Sequence, residues 1–409
     1  MKDFFKVTDP GEVIAMRHDF PPVGTEVVPL SRAKGRVLAK DFVSPEDLPD
    51  FTRATMDGYA IKASSSFGAS EGNPAFLTIN GNVAMGESPD FSIGAGEAAR
   101  ISTGAMLPDG ADAVVMVEHT QALDETTIEA YRSVAPGQHV IQIGEDIPNG
   151  RLALAKGIEI RSQEVGFLAA LGCERVTVFK RPVISIISTG DEIVALGEPL
   201  PPGKVRDVNA YTLAGFTADA GAEPTCYGIV KDDFNLMLDV CRRALEQSDM
   251  VLISGGSSMG TRDLTVQVLS TLPDTVVLVH GISIRPGKPT ILARAGDKPF
   301  WGLPGQVTSA MVAFAAVVRP FVDRLAGRAY HRRETLKRVA RLTRNISSVQ
   351  GRIDYVRVRL EKKRDGLWAE PILGKSGLIN TMVQADGLVA IGMNVEGLEK
   401  GDPAEVIPI

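Results

Sequence analysis

The chain is poor in the residues that most simply announce a chemistry. Its three cysteines, Cys173, Cys226 and Cys241, are odd in number and scattered over 409 residues, without a Cys-x-x-Cys pair. That spacing excludes a disulfide framework, and buried thiols in a reducing compartment are expected. The five histidines show no zinc-ligand spacing. Long apolar runs are missing too: residues 311–318 are soon followed by Arg319, far short of a bilayer span. The opening Met-Lys-Asp-Phe-Phe-Lys meets charge at once and then Pro10, so no signal peptide is expected and the location is read as cytoplasmic. Positive charge is not in excess: 44 Lys and Arg stand against 50 Asp and Glu, for a net charge of −6. This balance argues against a nucleic-acid-coating or membrane-surface protein, and any anion has to be met by local donors. Neither Gly-x-x-x-x-Gly-Lys-Ser/Thr nor Gly-x-Gly-x-x-Gly describes the glycine-rich loop, so the standard nucleotide fingerprints do not apply.

What is present is a globular composition, 44% hydrophobic and 23% charged, on a chain long enough for two to four domains. Residues 11–19 have the spacing of a short amphipathic helix, interrupted by Pro21, Pro22 and Gly24. Between 44 and 139 the texture is β-rich, with strands expected at 76–79, 98–101, 113–117 and 127–130. Residues 151–172 predict a short strand and a helix ending at Gly172. From 181 to 326 strands alternate with helices: 183–188, 225–230, 250–253, 276–279, 290–293 and 300–303 read as strands. One helix is expected after Asn209 as N-cap, stopping at Gly221; others follow Asp232-Asp233, begin near Arg262, and run from about 307 to 326. This rhythm implies a parallel or mostly parallel sheet with ligands at the carboxyl ends of its strands. Beyond about 331, apolar runs at 354–360, 367–372, 388–391 and 405–407 predict a small β-barrel or sandwich.

The polar motifs fall where such a sheet would place them. Residues 253–263, Ile-Ser-Gly-Gly-Ser-Ser-Met-Gly-Thr-Arg-Asp, join an apolar strand to a helix and so offer backbone N–H groups to an oxyanion, with Asp263 as a nearby carboxylate. Ser188-Thr189-Gly190-Asp191-Glu192 ends another strand. Glu192, Asp232 and Asp263 each sit just after a strand, and three acids on one rim repel unless a cation such as Mg²⁺ joins them. Arg285-Pro286-Gly287-Lys288-Pro289 holds two cations in a stiff turn suited to anion binding. Gly302-Leu303-Pro304-Gly305 precedes a further helix, a second candidate anion-binding N-terminus. Each segment also has a plain structural reading, as a turn, a helix cap or a solvated surface. The residues alone lead to a multidomain α/β protein that binds an anionic ligand with a metal.

In order along the chain, Thr-Met-Asp-Gly-Tyr-Ala (55–60), Ile-Ser-Thr-Gly-Ala (101–105), Gly-Glu-Asp-Ile (144–147), Ser-Thr-Gly-Asp-Glu (188–192), Val-Arg-Asp-Val-Asn (205–209), Ile-Ser-Gly-Gly (253–256), Arg-Pro-Gly-Lys-Pro (285–289) and Gly-Leu-Pro-Gly (302–305) together resemble the molybdenum insertase family. This family is called MoeA in bacteria and is represented in animals by the E domain of gephyrin. The resemblance implies a multidomain fold: a discontinuous linker and dimerisation domain at 1–43 and 140–172, a β-rich insertion at 44–139, an α/β molybdopterin-binding domain at 173–326 and a C-terminal β-barrel at 327–409. It implies a cytoplasmic homodimer that inserts molybdate into adenylylated molybdopterin with Mg²⁺-dependent release of AMP. An adenylyltransferase partner and client molybdoenzymes are implied as well, with no nucleic acid and no membrane.

Carried over by motif, Glu192, Asp232 and Asp263 are the implied metal ligands and belong with Asp57, Thr103 and Asp146 to the catalytic set, the last three facing it from the insertion side. Ser254, Gly255, Gly256 and Ser257 are implied to line the pterin-phosphate or adenylate pocket, with Pro304 and Gly305 nearby. Arg285 and Lys288 are implied to hold phosphate or molybdate, and Arg352 and Ser376 to bring the barrel toward the site. The chain departs from the family pattern at Ile141-Gln142, Thr261, Gly281 and Gln306-Val307, changes that the resemblance implies touch the anion-handling surface more than the carboxylates. A tungstate-preferring insertase and a catalytically weak binding or scaffold paralogue remain as alternatives.

Overall fold

The computed structural model describes residues 7–255, 259–329 and 338–409, with the backbone alone described at 259–263. The chain divides into two compact units, Met1–Lys40 with Lys156–Ser162 and Arg175–Ile409, and Asp41–Ala155 with Gln163–Glu174.

The larger unit is built on a six-stranded sheet. Its order is Glu223–Val230, Val183–Thr189, Met250–Gly255, Lys298–Leu303, Ile291–Ala295, Thr275–His280. The first four strands are mutually parallel, and the last two join antiparallel. The mostly parallel expectation therefore holds, with two antiparallel strands at one edge. Residues 291–303 form a hairpin around Gly296, whose φ of +57° suits a two-residue turn that a parallel crossover could not use. Alternation sorts the strands' side chains onto two faces. Ile184, Ile186, Met250, Leu252, Trp301 and Leu303 enter one core, whereas Ile187, Val251, Ile253 and Phe300 enter the other.

Helices cover both faces. Phe234–Gln247 buries Met237, Cys241 and Ala244, one stripe at helical spacing, and Asp233 caps it by accepting the Leu236 N–H at 2.9 Å. Asn209–Asp219 buries Ala210, Leu213 and Thr217. Asn209 is not its cap: it lies inside the helix, and Asp207 takes the Ala210 N–H at 3.1 Å instead. The helix expected at 307–326 consists of Val307–Ala313, a π-turn Phe314–Val318 and Arg319–Leu325. Trp301 meets Phe321 edge-on at 5.0 Å in the first core, which also takes in Val13 and Phe20 from the N-terminal segment.

In the same unit the C-terminal strands Arg338–Leu342, Ile353–Lys363, Gly366–Pro371, Gly387–Ile391 and Pro403–Pro408 close into a five-stranded barrel. The two-residue strand Ile284–Arg285 pairs with Ile353–Asp354 and so ties the loop between the α/β sheet's last two antiparallel strands in the order above, Thr275–His280 and Ile291–Ala295, to the barrel. The smaller unit carries a six-stranded, mostly antiparallel sheet, its strands including Ala75–Val83, Glu97–Ile101, Ala113–Met116 and Thr127–Ala130. Gly58–Ile61, in a segment that reads as an Asp-Gly turn, is instead one of its inner strands. A Cβ at Gly58 would stand 2.0 Å from the Val115 carbonyl oxygen, so close strand pairing, rather than turn geometry, requires this glycine. No described helix is long and apolar enough to cross a membrane.

Candidate active site

The sheet order places its second strand beside its first and its third on the first strand's other side. This arrangement makes a topological switch point between Val183–Thr189 and Met250–Gly255, where α/β sheets bind ligands. Ser188 lies in register with Ser254, and Thr189 with Gly255. The Ser254 hydroxyl is buried with no hydrogen-bond partner among the described residues, a donor held in reserve at the strand's end. Gly255 has φ +142°, and a Cβ there would sit 2.0 Å from the Thr189 carbonyl oxygen, so only glycine lets the two strand ends meet. Gly256 and Ser257 lie outside the described residues.

Acids gather on the rim beside them. Asp233 serves as the helix cap, which leaves Asp232 for another role. Its Oδ1 is buried with no hydrogen-bond partner among the described residues, while its backbone N–H reaches Asp191 Oδ1 at 3.4 Å. Burial, together with the nearby charges of Asp191 and Glu192, pushes the Asp232 carboxyl above its usual range. Among the described residues no three carboxylate, imidazole or thiol groups stand tightly enough to hold a metal ion. The Asp263 side chain lies outside the described residues, in the helix Met259–Thr271. An uncompensated, partly buried carboxylate with an orphan oxygen suits a hard divalent cation, and Asp232 supplies one.

Two residues beneath this rim carry no site role in the sequence reading, in which Asn209 is only a helix cap. Asp207, 6% exposed, accepts the Ser188 hydroxyl at 2.9 Å. Asn209 Nδ2 donates to the Gly305 carbonyl at 3.0 Å, which pins the Gly-Leu-Pro-Gly loop to the neighbouring helix. Their signal is the Asp-Val-Asn triplet, whose polar residues lie just ahead of an apolar helix stripe.

A second feature of the unit is a cavity of about 880 Å³ between the α/β sheet and the barrel. It is lined by Arg285, Lys288, Arg352, Arg357 and Lys375, with Asp354 the one acid in its wall. Asp354, buried, accepts from Arg352 Nε at 2.7 Å and stands 3.6 Å from Arg285 Nη1, so it orients both arginines. Arg357 is spent on structure, donating to Thr381 Oγ1 and the Gly374 carbonyl, each at 2.8 Å. Pro304 and Gln306 line the cavity from the sheet side and Ser376 from the barrel side. The cavity thus collects Arg285, Lys288, Pro304, Arg352 and Ser376 from the sequence reading, and adds Arg357 and Lys375. The helix start at Val307–Ala313 is a poorer anion site than expected, because the Thr308 N–H already donates to the Ser376 carbonyl at 3.1 Å.

In the smaller unit, Asp57 Oδ1 accepts the Thr103 N–H at 2.7 Å, joining two of the predicted residues at an exposed loop pair. Asp146 is exposed in the separate turn 144–147.

A switch-point rim of glycine, serine and acids and a cationic cavity under a C-terminal barrel thus lie in one α/β unit. The family follows from comparison. Residues 10–172 match the MoeA N-terminal region (domain I and II), 185–324 the probable molybdopterin binding domain, and 339–409 the MoeA C-terminal region (domain IV). A protein of Methanocaldococcus jannaschii named for molybdopterin biosynthesis is 38% identical, over 93% of this chain and 91% of its own length. The molybdopterin molybdenumtransferase of Bacillus subtilis is 30% identical, over 94% and 90%. The crystal structure of a molybdopterin biosynthesis MoeA protein from Pyrococcus horikoshii OT3 superposes with a TM-score of 0.85 at 31% identity, covering 98% of this chain and all of that one (100%). The chain belongs to the MoeA family.

Proposed function

We propose that the chain is a molybdopterin molybdenumtransferase, a transferase of molybdenum cofactor biosynthesis that joins molybdate to adenylylated molybdopterin and releases AMP. The observation that supports this reading is the cationic cavity, lined among the described residues by five Lys and Arg side chains against one carboxylate, in a chain whose net charge is −6. Fixed cations around a concave site are what a small dianion requires, and an acidic exterior leaves that site as its specific destination.

The residues divide the labour. Arg285, Lys288 and Arg352 hold the oxyanion, with Asp354 keeping the arginines in place. Ser254, Gly255, Gly256, Ser257, Pro304 and Gly305 receive the pterin phosphate and adenylate, where the orphan Ser254 hydroxyl supplies a hydrogen bond. Glu192, Asp232 and Asp263 would hold Mg²⁺, which when bound draws negative charge from the phosphoanhydride. Asp57, Thr103 and Asp146, in the β-rich unit, complete the catalytic set. No protein nucleophile is needed, because the substrate's own dithiolene sulfurs bind the molybdenum. The reading includes a cytoplasmic homodimer with the four domains set out above.

Single-turnover AMP release from adenylylated molybdopterin, with Mg²⁺ and varied molybdate, tests this. Lys288→Ala and Arg352→Ala should raise the molybdate concentration needed for half-maximal rate by about tenfold each, with a smaller change in the maximal rate. Asp263→Ala should abolish release while leaving the fold intact. Release that ignores both the oxyanion and these substitutions would overturn the proposal.

A further inference from the structure

We infer that Gln306 gates the oxyanion cavity by competing with the bound anion for the hydroxyl of Ser376; the inference rests on the cavity being the oxyanion site. Ser376 lies on the loop 374–377 between two barrel elements, and three contacts fasten it to the α/β sheet's last helix. Its hydroxyl donates to Gln306 Oε1. Its carbonyl accepts the Thr308 N–H at 3.1 Å and the Thr308 hydroxyl at 2.7 Å. Gln306 and Ser376 both line the cavity.

A serine hydroxyl has one hydrogen to give, and a fully ionised tetrahedral oxyanion offers only acceptor oxygens. While that hydrogen serves Gln306, Ser376 shows the cavity lone pairs that repel an anion. Entry of the oxyanion therefore requires the hydroxyl to turn from Gln306 to the ligand. The backbone need not follow, because Thr308, fully buried, keeps its two bonds to the Ser376 carbonyl, and Arg357 holds Gly374 from the barrel side. The exchange costs one neutral hydrogen bond, which corresponds to about fivefold in affinity.

The test is equilibrium binding of molybdate and of tungstate to the full chain by calorimetry, in the wild type, Gln306→Met, Ser376→Ala and the double variant. Gln306 is exposed, and methionine keeps its length with only a weak sulfur acceptor in place of the amide oxygen, so the fold should be unaffected. Gln306→Met should bind about fivefold more tightly, Ser376→Ala more weakly, and in the Ser376→Ala background Gln306→Met should change nothing. That coupling separates competition for a hydroxyl from a general effect on the loop. Unchanged or weaker binding by Gln306→Met, with the wild type binding normally and Arg352→Ala not, overturns the gate and leaves the oxyanion site standing. Absence of binding by the wild type overturns both.

Discussion

Replacing Gly255 by alanine asks whether the meeting of two parallel strands at the switch point depends on a missing methyl group. The added Cβ would lie 2.0 Å from the Thr189 carbonyl oxygen and 2.3 Å from its Oγ1, where ordinary contact begins at 3.4 Å. Neither obstacle can swing away, since one is backbone and the Thr189 side chain is itself buried. The φ of +142° adds strain that a side chain makes costly, about 1–3 kcal/mol. Overpacking at a fixed site adds about 1–3 kcal/mol more. A loss of roughly 2–6 kcal/mol follows, a large part of the 5–15 kcal/mol usual for a folded domain. With a urea slope of about 2 kcal/mol per M, the midpoint should fall by about 1–3 M with an unchanged slope. Gly166→Ala is the control: that glycine lies in the helix Ser162–Ala170 with nothing within 4 Å of its would-be Cβ, and alanine there should stabilise by about 0.5–1 kcal/mol. A Gly255→Ala protein as stable as the wild type would refute the close-approach argument.

The remaining expectations concern charge and burial. The Asp232 carboxyl has a raised folded-state pKa, so its ionised form opposes folding above that pKa, and protonation relieves the penalty as pH falls. Asp232→Asn should therefore raise Tm at pH 7, by a margin that shrinks as pH falls toward 4, while lowering AMP release; calorimetry across that range reads the trend. Arg328 is 8% exposed and pairs with Asp323 at 2.5 Å and Glu159 at 3.0 Å. Asp323→Ala removes one of the two carboxylates and leaves Glu159, so it should cost about 1–3 kcal/mol in chemical denaturation. Cys241 is held by burial near pKa 12, so a thiol-alkylating reagent at pH 8 should leave it unmodified in the native protein, with mass spectrometry as the readout.

Much of the α/β unit is readable along the chain because its strands carry apolar residues on both faces, and each is followed by a polar turn. Residues 183–188 and 250–253 are such runs, and the strands observed there, Val183–Thr189 and Met250–Gly255, extend them by one and two residues into the site. Arg285, Lys288 and Pro304 meet in one cavity because the turn before Ile291–Ala295 and the turn after Lys298–Leu303 lie at the same end of that hairpin, and Arg352 and Ser376 join them from the barrel. What was hidden depends on tertiary context. Asp57-Gly58 has turn composition, yet strands on both sides overrule it, and Asn209 has cap chemistry that Asp207 performs from two residues earlier. Arg357 and Lys375 are ordinary surface residue types in sequence, and only closure of the barrel brings them to the cavity. Asp191, Glu192 and Asp232 could be anticipated as neighbours, but which Asp of the pair at 232–233 was the helix cap required the structure.

The most direct measurement is a crystal of the protein soaked in tungstate, with diffraction recorded at the tungsten absorption edge. An anomalous peak is expected inside the cavity, within hydrogen-bonding reach of Lys288, Arg352 and Ser376, and should disappear in the Arg352→Ala protein. A peak confined to other surfaces, or an empty cavity at saturating tungstate, would contradict that expectation.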